Sequence, residues 1–165
     1  MSWFDLLIEK HRANGLLIDT NLLLLYLIGR TNKSRIPLFK RTQRYTVEDF
    51  DLLKLLLSQF ETLITTPHVL TEVSNLSSLQ EPELSRLRTL FKETTEHTLE
   101  LYDESRHVMS DRAFNRLGLA DAAIATVCRR SLLVLTDDLE LYHALTIRGV
   151  DAINFNHIRT YFWHR

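Results

Sequence analysis

Acidic residues lie at four places in this sequence where strands or helices are expected to begin or end. Asp19 and the adjacent pair Asp137 and Asp138 each follow a short apolar run, whereas Glu72 and Asp121 lie near the starts of helical patterns. Carboxylates gathered from distant parts of a chain repel one another unless a cation or bound protons compensate their charge. Oxygen ligands without paired Cys or His spacing suit Mg²⁺ or Mn²⁺ better than zinc. The sequence therefore predicts a divalent-cation site.

Alternating strand and helix patterns are expected to carry these acids. Leu16 to Ile18 predicts a strand followed by a helix from Asn21 to Gly29, which the glycine closes. Leu63 to Thr66 predicts a second strand, and Pro67 suits the first turn of the next helix. Further strands are expected near residues 98–102, 132–135 and 150–155, and residues 103–117 stay unassigned. This alternation predicts an α/β fold with three α/β/α layers and a mainly parallel central sheet. Chemistry gathers at the carboxyl ends of such strands.

The bulk composition predicts one soluble domain spanning residues 1–165. The chain is 45% hydrophobic and 25% charged, which is typical of a globular protein. Its longest apolar run is far shorter than the roughly 20 residues of a membrane span, and no secretory signal is recognisable, so we expect a cytoplasmic protein without a membrane. The formal net charge of −1 means that any attraction to nucleic acid must be local.

Four short motifs carry a family resemblance. Gly-Leu-Leu-Ile-Asp-Thr-Asn at residues 15–21 resembles the opening motif of PIN-domain nucleases. Residues 66–73, 118–124 and 134–138 resemble the second, third and fourth motifs of that family, in the same order and with compatible spacing. Each motif alone is weakly specific, but together they cover most of the chain. The resemblance implies a PIN-like fold and a metal-dependent ribonuclease.

The resemblance also implies roles for individual residues. Asp19 and Asp121 would hold Mg²⁺ or Mn²⁺, Glu72 would position or deprotonate the attacking water, and Asp138 would act directly or through a water. The substrate would be single-stranded or looped RNA. Such nucleases are often the toxin of a toxin–antitoxin pair, so an antitoxin protein is an expected partner, and a homodimer is compatible with the resemblance. The stretch between Gly29 and Leu63 is longer than in short toxins of this type.

Supporting polar groups are expected beside these acids. Asn21 and Thr136 belong to the first and fourth motifs and would assist the cation ligands. The fourth motif favours Asp138 over Asp137, although both residues are acidic and side chains on an extended segment alternate between faces. Each acid also has a structural alternative, because Asp19 could cap the following helix, Asp121 could cap its own, and Glu72 could be a solvated helix residue.

A basic segment follows the first strand–helix unit. Six cations occur there without an acid, and Phe39 and Tyr45 are interleaved with them. The cations are Arg30, Lys33, Arg35, Lys40, Arg41 and Arg44. Basic side chains can bind phosphates and aromatic rings can stack on unpaired bases, so this segment is a candidate RNA-binding surface. A solvated basic loop and an antitoxin-docking surface are the alternatives.

Two other functions compete with the ribonuclease. A strand ending in Asp19 and a later acidic pair loosely resemble phosphatases of the haloacid dehalogenase type. Those enzymes use a second aspartate two residues after the nucleophile, where this chain has Asn21, and Glu72 and Asp121 would have no role. A catalytically inactive PIN-type scaffold that binds a partner or RNA is the other alternative, although none of the expected acids is missing from this sequence.

Overall fold

A parallel sheet forms the centre of the molecule. The computed structural model describes residues 2–128 and 131–163. Within these residues five strands pair in the order β3-β2-β1-β4-β5, and each neighbouring pair is parallel. The strands are β1 (Leu16–Ile18), β2 (Leu63–Thr65), β3 (Thr98–Glu100), β4 (Leu133–Thr136) and β5 (Asp151–Asn154). The predicted α/β fold with a parallel central sheet is therefore confirmed.

Helices connect successive strands and cover the sheet. They are α1 (Trp3–His11), α2 (Thr20–Thr31), α3 (Val47–Leu57), α4 (Pro67–Leu76), α5 (Glu83–Glu96), α6 (Ser105–Ser110), α7 (Phe114–Val127), α8 (Leu139–Ile147) and α9 (Phe155–Trp163). All residues of β1 and β4 are buried, so both faces of the central strands are covered, as a three-layer arrangement requires. None of the described helices combines the length and apolar character needed to cross a membrane.

The starts of several helices follow from local hydrogen bonds. The Thr46 hydroxyl accepts from the backbone nitrogen of Asp49, and the Asp49 carboxylate accepts from the backbone nitrogen of Thr46, which together form a capping box at the start of α3. Thr66 caps α4, and Pro67 occupies its first turn, where no intrahelical N–H is needed. The position of Pro67 agrees with the sequence prediction.

Gly29 has a different role from the one expected. The prediction that Gly29 closes the second helix is wrong, because α2 continues to Thr31. A Cβ atom at Gly29 would lie 2.2 Å from the Phe50 ring, so glycine permits the close approach of α2 and α3. The helix ends instead at Asn32, whose backbone is extended and whose side chain accepts from the Ser34 backbone nitrogen. A packing requirement thus explains a residue that looks like a stop signal in the sequence.

The unassigned residues 103–117 form α6 and the first turn of α7. Within α7 the chain kinks at Gly118, whose φ of 77° and ψ of 179° lie in a region that is essentially restricted to glycine. Regular helix resumes after this kink, and Asp121 lies in its first turn. The kink therefore separates the helical segment that carries Asp121 from the segment that precedes it.

Candidate active site

Four carboxylates line one small pocket at the carboxyl ends of the parallel strands. The pocket has a volume of about 150 Å³, and its lining includes Asp19, Glu72, Asp121, Asp138 and Asn21. Asp19 and Asp138 closely follow β1 and β4 and cap the helices α2 and α8, while α4 and α7 contribute the other two acids. Residues from distant parts of the sequence thus meet at one edge of the sheet, as predicted.

Asp19 is the most strongly held of these acids. Its Oδ1 accepts from the backbone nitrogen of Leu22 at 2.9 Å, while Oδ2 accepts from Thr136 Oγ1 at 2.6 Å and from the backbone nitrogen of Asp137 at 2.9 Å. Burial and the neighbouring Asp137 carboxylate raise the pKa of Asp19 well above its usual value, and these hydrogen bonds act in the opposite direction. The capping role is therefore real, and it fixes both carboxylate oxygens.

Thr136 connects Asp19 with Asp138. Its hydroxyl donates to Asp19 and accepts from the backbone nitrogen of Asp138 at 3.0 Å. Asp138 Oδ1 in turn accepts from the backbone nitrogen of Leu141 at 2.9 Å, which caps α8. One hydroxyl thus orients the segments carrying two of the pocket acids, and the role of Thr136 in supporting a cation site stays a prediction.

Glu72 receives a hydrogen bond that the sequence did not predict. Thr20 Oγ1 donates to Glu72 Oε2 at 2.8 Å, which ties α2 to α4 across the pocket. Thr20 is buried and follows Asp19 directly, at the first position of α2. The position of Thr20 in the first motif could have indicated this contact, because a hydroxyl there can reach the same edge of the sheet as Asp19.

The pKa of Asp121 shows the effect of placing several carboxylates in one pocket. Burial, together with the charges of Asp138, Glu72 and Asp137, raises the pKa of Asp121 to about 7. A neighbouring cation would lower the pKa of a carboxyl, but the named influences on Asp121 all raise it. The acids in this pocket therefore repel one another when they are ionised, and a bound proton or cation can relieve this repulsion.

Asp137 differs from its neighbour Asp138. Its side chain is almost completely buried and accepts hydrogen bonds from Arg44, from the Tyr45 hydroxyl and from Asn21 Nδ2, the last at 3.1 Å. Burial, followed by the charge of Asp137, raises the pKa of Tyr45, so this hydroxyl keeps its proton and donates. Asp138, and not Asp137, lines the pocket. The geometry thus favours Asp138 as the fourth acid, and its assignment as a ligand stays a prediction.

The donors in the pocket suit a hard divalent cation. All its titratable groups are carboxylates, which Mg²⁺ and Mn²⁺ prefer, and a bound cation would relieve the repulsion that helps to raise the pKa of Asp121. Within the described residues, however, no group of three or more Asp, Glu, His or Cys side chains is already arranged to hold a metal ion. The acids share a pocket without forming a closed coordination sphere, so rotation of the side chains would have to accompany binding.

The candidate RNA-binding cations do not form one free surface. Arg30 donates to the Tyr26 hydroxyl, and Lys33 and Arg35 form ion pairs with Asp51 and Glu83, each at 2.6 Å. Arg44 is paired with Asp137 at the site itself. Ion-paired cations have less charge available for phosphates, which reduces the expected contribution of Lys33, Arg35 and Arg44.

Lys40 and Arg41 retain the character expected of an RNA-binding pair. Both are exposed, and neither forms an ion pair within the described parts of the chain. Phe39 is half-buried, whereas Tyr45 is only 2% exposed. The expectation that Tyr45 could stack on a base is therefore wrong, because its ring is buried and its hydroxyl is directed to Asp137. The candidate cations that remain are Arg30, Lys40, Arg41 and the exposed part of Arg44.

Comparison of the chain with protein-family models and with curated proteins gives no match. The four motifs thus carry the family resemblance by themselves, and the function has to be argued from the pocket.

Proposed function

We propose that this protein is a divalent-metal-dependent endoribonuclease that cleaves single-stranded or looped RNA, as the resemblance to PIN domains implies. One observation carries the proposal, which is the meeting of Asp19, Glu72, Asp121 and Asp138 in a pocket where the pKa of Asp121 is raised to about 7. Structural acids are normally paired with cations or solvated, and strongly perturbed carboxyls in a cleft are typical of functional sites.

The four acids would have different tasks. Asp19, Asp121 and Asp138 would hold Mg²⁺ or Mn²⁺, with Asp19 fixed most firmly by its three hydrogen bonds. A bound divalent ion polarises a phosphoryl oxygen and makes water a better nucleophile at neutral pH. Glu72 would position the attacking water or accept its proton, since its Oε2 is oriented by Thr20 and its side chain is exposed.

The charges around the pocket are compatible with an RNA phosphodiester. A phosphodiester has to approach carboxylates, so nearby cations are needed to offset the repulsion of its own negative charge. Lys40 and Arg41 are exposed and form no ion pair among the described residues of the connection between α2 and α3, and the Arg44–Asp137 pair attaches this connection to the site. An antitoxin protein would be a partner of the same surface if the chain is the toxin of a toxin–antitoxin pair.

The phosphatase alternative is less compatible with this arrangement. It needs a second acid two residues after Asp19, but Asn21 occupies that position and donates its amide to Asp137. It also leaves the elevated pKa of Asp121 without a chemical use. A scaffold without activity would leave the same uncompensated pocket without a function.

The purified protein should be incubated with single-stranded and duplex RNA in Mn²⁺, in Mg²⁺ and in EDTA. We expect metal-dependent cleavage of the single strand, and its loss in Asp121→Asn, because that change removes a charged ligand while hardly altering shape. Asp111→Asn is the matched control, since Asp111 is paired with Arg148 and does not line the pocket. Phosphomonoester turnover without RNA loss would support the phosphatase, and absence of both activities would support the scaffold.

A further inference from the structure

Two adjacent acids follow β4, and their side chains lie in different surroundings. Asp138 faces the carboxylate pocket, whereas the Asp137 side chain is only 1% exposed and is absent from its lining. An isolated charge is unfavourable in such a buried position unless hydrogen bonds or an opposite charge compensate it. The partners of Asp137 are therefore informative about why a second acid stands next to the pocket.

Asp137 is bonded through its side chain and its backbone. Its carboxylate accepts from Arg44, Tyr45 and Asn21, and its carbonyl oxygen accepts from Asn156 Nδ2 at 2.8 Å. Its backbone nitrogen donates to Asp19 Oδ2 at 2.9 Å. Any movement of Asp137 would thus be transmitted directly to Asp19, which is one of the proposed cation ligands.

The two partners that compensate Asp137 come from the long connection between α2 and α3. Arg159 contacts both of these partners. Its Nη2 donates to the Arg44 carbonyl at 3.2 Å, and its guanidinium lies 5.4 Å from the centre of the Tyr45 ring. Arg159 also donates to both oxygens of Asp49, which is fully buried at the start of α3. The connection is therefore fixed at the point where it reaches the site.

We propose that Arg44 and Tyr45 are positioning residues that bind the Asp137 carboxylate, keep it out of the neighbouring cation pocket and so keep Asp19 in place. The inference rests on the proposed function of the pocket. It gives the basic connection a task beyond binding RNA phosphates. A released Asp137 would bring an additional negative charge to the pocket, which would attract a cation more strongly and repel the phosphodiester of the substrate.

Two simpler roles for Arg44 predict different results. If Arg44 only stabilises the fold, its loss lowers stability and leaves the Mn²⁺ affinity of the folded protein unchanged. If Arg44 only binds an RNA phosphate, its loss raises KM and flattens the salt dependence, with kcat and Mn²⁺ affinity preserved. A positioning residue acting through Asp137 changes Mn²⁺ affinity and kcat in opposite directions.

The experiment measures Mn²⁺ binding to the full chain by calorimetry without RNA, and then kcat and KM for RNA cleavage. For Arg44→Gln we expect the Mn²⁺ Kd to fall by at least about threefold, because a positive charge is lost and a negative one is released. We expect kcat to fall by about 10- to 100-fold, the range typical of groups that orient metal ligands. Arg44→Lys should restore part of both effects.

Two further variants connect these effects to Asp137. Adding Asp137→Asn to Arg44→Gln should return the Mn²⁺ Kd toward the wild-type value, since no carboxylate is then released. Tyr45→Phe keeps the buried ring and removes one hydrogen bond, so it should give a smaller change in the same directions. Arg148→Gln is the matched control, because it breaks the Arg148–Asp111 pair, which contains no pocket residue.

The outcomes separate the two proposals. Wild-type protein that binds Mn²⁺ without cleaving RNA would overturn the proposed function, while the Mn²⁺ affinities would still test the role of Arg44. Unchanged or weaker Mn²⁺ affinity in folded Arg44→Gln and Tyr45→Phe, or a change in KM alone, would overturn the positioning role. Absence of Mn²⁺ binding to the wild type would overturn both.

Discussion

The two ends of the parallel sheet give their acidic residues opposite environments. The acid at one end is paired with basic side chains, whereas the acid at the other end lies among carboxylates. At the amino-terminal end of β5, Asp151 lies 2.6 Å from Lys10 Nζ and 2.7 Å from His11 Nε2. Burial raises the pKa of Asp151, but the bonds and charges of these partners outweigh it, and the net pKa is lowered. At the carboxyl-terminal end, burial and neighbouring acids raise the pKa of Asp121 to about 7.

This difference supports the proposal that a ligand binds at the carboxyl-terminal end of the sheet. Asp151 gains partners from its own chain, so its ionised form stabilises the fold. Asp121 meets other carboxylates, so its ionised form destabilises the metal-free fold at neutral pH. A fold that compensates one acid and leaves another uncompensated is expected to bind a cation at the second place.

The largest effect should come from Asp19→Asn. RNA cleavage should fall at least about 100-fold, because a cation ligand is lost. Stability should also fall, by about 1–3 kcal/mol, because the new amide NH₂ would face an N–H donor at either oxygen position. Those donors are the backbone nitrogens of Leu22 and Asp137. Urea unfolding and a cleavage assay measure the two effects separately.

Asp151→Asn is the control from the opposite end of the sheet. It should lower stability above the usual pKa of an aspartate, since the ion pairs with Lys10 and His11 are weakened. Cleavage by the folded fraction should remain. The contrast between the two ends would collapse if Asp19→Asn kept wild-type stability and activity, or if folded Asp151→Asn lost cleavage.

A smaller effect, on RNA binding, is expected from Lys40 and Arg41 in the basic segment. Replacing Lys40 and Arg41 with glutamine should weaken RNA binding and reduce the slope of log K against log salt by about 0.7 for each phosphate that the protein no longer neutralises. The corresponding change at Lys33 and Arg35 should reduce this slope less, because both are already paired with acids. Equal slopes for the two double variants would exclude a special role for Lys40 and Arg41.

The sequence predicts the pocket acids because their positions depend on local features. Asp19 and Asp138 closely follow strands, and the carboxyl ends of parallel strands in one sheet lie at the same edge. Alternation of side chains along an extended segment also predicts that Asp137 and Asp138 point differently. Alternation alone does not predict which of the two side chains faces the pocket, because that depends on the partners available on each side.

Those partners were not predictable from sequence. Arg44 and Tyr45 reach Asp137 from a distant part of the chain, and no periodic pattern connects them. The same limit applies to Gly29, which resembles a helix stop but is required by the Phe50 ring. Local rules therefore position the acids, whereas long-range packing decides which of them remains free to bind a ligand.

The most direct test compares the stability of wild type and Asp121→Asn with and without Mn²⁺. In EDTA the variant should be more stable at about pH 8, and the difference should shrink toward about pH 5, where the wild-type carboxyl is protonated. Mn²⁺ at 100 times its Kd should stabilise the wild type by about 2.7 kcal/mol near neutral pH, and Asp121→Asn should lose most of this gain. A wild type that does not respond to millimolar Mn²⁺, or a variant with the full response, would contradict a cation site built from these acids.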